Sequence, residues 1–161
     1  MIRRFASLGV AGMAMAGMLG TAITPAFADP PRRVSISGSV YIEDDENWPS
    51  QNEYCHDGLS YNDIVYGYQQ VIFDKGWGCG GEVHTTLYAM ADLLPDGGIR
   101  IHGTVYLREG TCGCLSDRIR MTKDFNQVIA PETNAEVDPG FVEWDGGDKT
   151  HVHFRVYNRA P

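Results

Sequence analysis

Between residues 83 and 107, apolar and polar side chains alternate almost without interruption, and a tight-turn sequence divides the run in two. Val83, Leu87, Ala89, Ala91 and Leu93 alternate with His84, Thr86, Tyr88, Met90 and Asp92. After Pro95-Asp96-Gly97-Gly98, Ile99, Ile101, Val105 and Leu107 alternate with Arg100, His102, Thr104 and Tyr106. A period of two gives a strand one apolar and one polar face, which a helix of 3.6 residues per turn would scramble. Proline presets φ, and the glycines permit positive φ, so the two strands are expected to form a hairpin. Placing Leu93 opposite Ile99 brings Ala91 to Ile101, Ala89 to Gly103 and Leu87 to Val105. A slip of one residue mismatches every pair.

The same period recurs elsewhere. Val34, Ile36, Val40 and Ile42 alternate with Ser35, Ser37, Ser39 and Tyr41, and Val152, Phe154 and Val156 alternate with His151, His153, Arg155 and Tyr157. A further strand is expected over 65–73, and a short one around Ile119 and Met121. No segment of the mature chain sustains a helical apolar repeat. The expectation is an all-β fold, an antiparallel β-sandwich of about seven to eight strands. Residues 43–62 and 126–149 read as long connections, where local function is expected.

The first 28 residues read as a cleavable export signal. Arg3 and Arg4 precede an Ala-, Gly- and Met-rich stretch that ends at Ala26-Phe27-Ala28, before Asp29-Pro30-Pro31. The apolar stretch is too short and too weakly apolar for a membrane span. The remainder, 29–161, is expected to be a single secreted domain. The chain carries a net charge of −8, and cleavage removes two arginines and no acid. That balance disfavours a nucleic-acid partner and anionic lipid surfaces, and no membrane insertion is expected. Oligomeric state is not legible.

An exported chain with four cysteines, Cys55, Cys79, Cys112 and Cys114, is expected to form two disulfides. A bond within Cys112-Gly113-Cys114 would close a small strained ring. The favoured pairing therefore joins Cys55 and Cys79 to those two.

Several constellations carry possible chemistry. Asp44 and Asp45 follow the first strand, and Asp145 and Asp148 precede the last, so their carboxylates form a candidate calcium site, with Asp92 and Asp96 as expected neighbours. His151 and His153 share a strand face, whereas the hairpin register keeps His84 and His102 apart. Trp48, Tyr54, Tyr61 and Trp77 lie among amide side chains, a combination that stacks on sugar rings and bonds their hydroxyls. The loop around Cys112–Cys114, if pinned by disulfides, has the form of a protease-inhibitor loop. No nucleophile elbow, zinc-protease motif or phosphate loop is present; Glu43 and Asp45 share a strand face, and Glu143 or Asp145 could complete the carboxylate couple a small hydrolase would need. The leading expectation is a secreted, non-catalytic binding module for an extracellular protein or polysaccharide, assisted by calcium. A protease inhibitor and a small secreted hydrolase are the alternatives.

Overall fold

The computed structural model describes residues 30–45, 51–110, 118–144 and 147–161. These residues form nine strands and no helix: β1 (Arg32–Asp44), β2 (Glu53–Val65), β3 (Gln70–Cys79), β4 (Val83–Leu93), β5 (Ile99–Glu109), β6 (Arg118–Ile129), β7 (Asn134–Val137), β8 (Phe141–Glu143) and β9 (Lys149–Arg159). They assemble into two antiparallel sheets. One has the order β2-β1-β9-β7, with β8 also paired to β9, and the other has the order β3-β4-β5-β6. The first 28 residues, read above as an export signal, and Trp48, Cys112, Cys114 and Asp145 lie outside the described residues.

The β4–β5 hairpin has the expected register: Leu93 pairs with Ile99, Ala91 with Ile101, Ala89 with Gly103 and Leu87 with Val105. The apolar phase of β1, β4, β5 and β9 is buried, with Leu93 at the end of β4 partly so. Phe154 of β9 joins the two sheets. Its ring meets Phe73 at 6.3 Å and Phe125 at 5.8 Å, both edge-on. Two glycines make room for these rings. A Cβ on Gly38 would lie 2.4 Å from Phe154 Cβ and 2.2 Å from the His153 carbonyl, and one on Gly103 would lie 3.0 Å from Phe125 Cζ and 2.1 Å from the Tyr88 carbonyl.

The expectations about the strands are corrected in three stretches. Residues 53–62, read as connection, belong to β2, and 65–73 is not one strand, because Val65 ends β2 and a turn over 66–69 leads into β3. Residues 126–149 contain the end of β6 together with β7 and β8. The short strand around Ile119 and Met121 extends to Ile129. The reason is common to all three. β2, β3 and β6 are edge strands, and their core-side positions include Asp57, Lys75 and Lys123, which remain exposed. Inward charges on an edge discourage pairing with another chain, and they also erase the alternation.

The disulfide pairing is corrected too. Cys55 bonds to Cys79, not to a cysteine of the Cys112–Cys114 segment. It clamps one end of the seam between β2 and β3, and Tyr61 against Phe73 at 5.9 Å closes the seam further along. Replacing both Cys55 and Cys79 by alanine is expected to lower stability by about 3 kcal/mol, the loop-closure contribution for bridged residues 24 positions apart. Calorimetry checks this, with a fall in Tm of about 10 °C expected.

Candidate functional site

The acidic residues separate to opposite ends of the molecule. Asp44, at the end of β1, is buried against the turn between β3 and β4, where a Cβ on Gly80 would fall 1.8 Å from Asp44 Oδ2. The Asp45 backbone N–H donates to Asp148 Oδ1 at 3.0 Å. Asp148 is 7% exposed, and burial, joined by the negative charges of Glu109, Asp45 and Glu82, pushes its carboxyl above the ordinary value. Asp92 is not a neighbour of this group. It lies at the far end of β4, because that strand begins at Val83 beside Cys79, next to Asp44, and runs away from it. Among the described residues no three His, Cys, Asp or Glu side chains are grouped to hold a metal ion.

The raised pKa of Asp148 has a defined sign. Its contribution to stability is complete below the unfolded-state pKa, near 3.8, and is lost as pH rises through the higher folded value. Asp148→Asn keeps the acceptor for Asp45 N–H and removes the charge. The variant is expected to gain about 1 kcal/mol at pH 7, and its melting curve should converge on that of wild type near pH 3.

The aromatic residues singled out in the sequence fall into two settings. Tyr61 and Trp77 belong to the core side. Gln70 Nε2 donates to the Tyr61 hydroxyl at 3.1 Å, and Trp77 is 8% exposed. Trp77 also lines a cleft of about 360 Å³ between β2 and β3, with Ile42, Cys55, Asp57 and the bare backbone of Gly76 and Gly78. Its indole N–H is buried away from that opening, and Lys75 Nζ sits 4.9 Å over its ring. Tyr54, in contrast, is 62% exposed on the outer face of the β1-containing sheet.

Tyr54 belongs to a group of rings that strand pairing brings together on that outer face. Tyr41 of β1 pairs with His56 of β2 on one side and His151 of β9 on the other, and His151 pairs with Phe141 of β8. The result is a row, His56-Tyr41-His151-Phe141, crossing four adjacent strands. Tyr54 stacks on Tyr41 at 6.4 Å, His56 meets Tyr41 edge-on at 6.4 Å, and Phe141 stacks on His151 at 4.6 Å. The Tyr41 hydroxyl donates to Glu43 Oε2 at 3.0 Å, which fixes its ring. Burial and then this carboxylate raise the Tyr41 pKa, so the phenol stays neutral.

No protein-family model matches the chain, and neither a curated protein nor a solved structure is significantly similar to it.

Beside the rings runs a strip of small side chains. Gly58, Ser39 and His153 form the next row, and Ser60, Ser37 and Arg155 the one after. Nothing lies within 4 Å of a Cβ placed on Gly58. On β1 and β2 the strip is therefore a shallow trough with hydroxyls along its floor, rings along one side and His153 and Arg155 at its β9 end. His151 and His153 do share this face, as their spacing implies. Each faces a carboxylate: His151 Nε2 is 2.7 Å from Asp138 Oδ1, and His153 Nε2 is 3.9 Å from Glu136 Oε2. The His151 contact holds the Asp138 carboxyl below its ordinary value. His84 and His102 are apart, opposite Arg108 and Met90.

Of the acid pairs considered for hydrolysis, Glu43 is engaged by Lys149 Nζ at 2.7 Å, by the Tyr41 hydroxyl and by Asn52 Nδ2 at 3.3 Å. Lys149 first of all, against the opposing effect of burial, keeps the Glu43 carboxyl below its usual value, which suits neither a proton donor nor a free nucleophile. The residues missed in the sequence are Tyr41, His56 and Phe141. Each stands on the polar phase of its strand, and only the pairing of β1 with both β2 and β9 sets them side by side.

Proposed function

We propose that this chain is a secreted, non-catalytic binding module whose ligand is an extracellular polysaccharide, held on the outer face of the β1-containing sheet. The observation that carries the reading is the ring row His56-Tyr41-His151-Phe141, flanked by Tyr54 and bordered by Ser37, Ser39 and Ser60. Aromatic faces suit the C–H faces of sugar rings, and the adjacent hydroxyls suit their polar edges. The rings stand on paired strands rather than on loops, so little ordering entropy is lost on binding. The export signal and the Cys55–Cys79 disulfide are consistent with work outside the cytoplasm.

Calcium assistance belongs to this proposal at one place, the end bearing Asp44, Asp45 and Asp148. Excess calcium, compared with chelator, is expected to raise the melting temperature of wild type and not of Asp148→Asn.

The binding reading is tested by incubating the processed protein with insoluble polysaccharides and measuring how much leaves the supernatant. Wild type should be depleted, and Tyr54→Ala combined with Phe141→Ala should remain in solution. Both side chains are exposed, so the double variant should fold, and its circular dichroism verifies that it does. Equal depletion of the two proteins would sink the assignment of this face.

A further inference from the structure

We infer, resting on the polysaccharide reading above, that the ligand of this face is an uncharged, linear chain of about four sugar units lying across the strands. Charge comes first. Two cations beside the ring row already hold carboxylates, Lys149 on Glu43 at 2.7 Å and Arg155 on Glu136, and Lys123 Nζ, reaching from β6, donates to the Phe141 carbonyl at 3.4 Å. Glu143, paired across the strands with Lys149, adds another negative charge. The next cations on the face are Arg33 and Arg159, which pair at the opposite end of the sheet. Eight residues separate Arg33 from Tyr41, about 25 Å along an extended strand.

Among the described residues, a uronate or sulfate placed on the rings would find one cation without a carboxylate, Lys123 at the Phe141 end, and it would approach a chain of net charge −8. A polycation fares little better. Two of the carboxylates there, Glu43 and Glu136, are neutralised by Lys149 and Arg155, and displacing either partner would strand its charge. What the trough offers without competition is neutral: ring faces and the hydroxyls of Ser37, Ser39 and Ser60, none of which has a protein partner among the described residues.

Length follows from the sheet. Four strands about 4.8 Å apart place the outer rings about 15 Å from one another, close to the span of three or four sugar rings end to end. His56 and Tyr54 stand at one end of the row, and Phe141, 47% exposed, stands at the other. The axis of the chain must cross the strands, because the rings are adjacent in that direction and serine and glycine follow in the other.

Affinity electrophoresis at pH 7.5 tests this with soluble probes: uncharged β-glucan, α-glucan, galactomannan and arabinoxylan, acidic polygalacturonate, and cationic chitosan. At least one uncharged chain should retard the wild-type protein, and the two charged chains should not do so specifically. Tyr54→Ala with Phe141→Ala should weaken that retardation at least tenfold. Oligosaccharides of the retained chain should gain affinity with length up to about four units and then level off. Retardation by a charged chain alone, lost in the double variant, would overturn this inference and leave the polysaccharide reading standing. Retardation by an uncharged chain that the double variant keeps would overturn the assignment of both. Absence of retardation by every probe would overturn the polysaccharide reading itself.

Discussion

Truncating Phe154 to alanine is expected to lower the stability of the folded chain by about 3 to 5 kcal/mol, the usual cost of removing a buried phenyl ring. Phe154 is fully buried and is the largest side chain so enclosed. Its ring contacts Phe73 on β3 and Phe125 on β6, the two edge strands of the opposite sheet, so one side chain closes the core from both flanks. The cavity cannot be filled by collapse of the facing strand. Gly38, directly across on β1, has no side chain to move inward, and the β1–β9 pairing fixes its backbone. A marginally stable domain of this size holds only about 5 to 15 kcal/mol in all, so the variant stands close to unfolding at room temperature. Urea titration should show the midpoint falling with the slope unchanged. A loss below about 1 kcal/mol would mean that the three-ring contact is not what joins the sheets.

What was legible in the sequence divides along the same line between central and edge strands. In β1, β4, β5 and β9 every core position is apolar or glycine apart from the buried Thr85 and Thr150 and the strand-end positions Arg32, Asp44, Glu109 and Asn158. The alternation therefore revealed both the strands and, for the β4–β5 hairpin, the register. In β2 the core-side residues run Cys55, Asp57, Leu59, Tyr61, Asp63 and Val65, and in β6 Met121, Lys123, Phe125, Gln127 and Ile129. A strand with one free edge is wetted at its margin, so its inward residues need not be apolar and no period survives to be read. The ring row was hidden for a second reason. Tyr41 and His151 are 110 positions apart in sequence, and their adjacency follows from the β1–β9 pairing, which local patterning does not encode. With β2 and β8 unrecognised as strands, Tyr54 was singled out but could not be set beside Tyr41, nor Phe141 beside His151. The disulfide is hidden for the same reason, since only the fold sets β2 and β3 as facing edges.

Asp92→Ala is expected to cost about 3 kcal/mol, and the reason lies in a register that was itself readable. With Leu93 opposite Ile99, Asp92 stands opposite Arg100, and the pair forms: Arg100 Nε and Nη2 reach Asp92 Oδ2 at 2.8 and 2.5 Å. The turn over 66–69 folds across this pair, and the Gln69 N–H donates to Asp92 Oδ1 at 2.7 Å while Leu93 N–H donates to the Gly67 carbonyl at 2.7 Å. Gln69 has φ of +56°, a conformation uncommon outside glycine, and Asp92 is the acceptor that holds it. The carboxylate is completely enclosed although it stands on the outer face. Removing one partner of a buried pair costs about 3 to 5 kcal/mol; the lower figure applies because the Arg100 side chain is one-third exposed and can rehydrate. Burial alone would push the Asp92 carboxyl up, but the Gln69 N–H, then Arg100, with His102 Nε2 at 3.1 Å, overcome it and hold the carboxyl below its ordinary 3.8. A depressed carboxyl stabilises the fold above its unfolded-state pKa, and that contribution fades as pH falls through the lower folded value. Asp92→Asn keeps an acceptor for Gln69 but loses the charge and turns a donor toward Arg100 in place of Oδ2, so it should cost about 1 to 2 kcal/mol at pH 7. Its melting temperature should approach that of wild type below pH 3.8, where the wild-type carboxylate takes up its proton. A gap between the two proteins that stays constant from pH 7 to pH 2 would show that shape alone, and not the charge on Asp92, secures the turn.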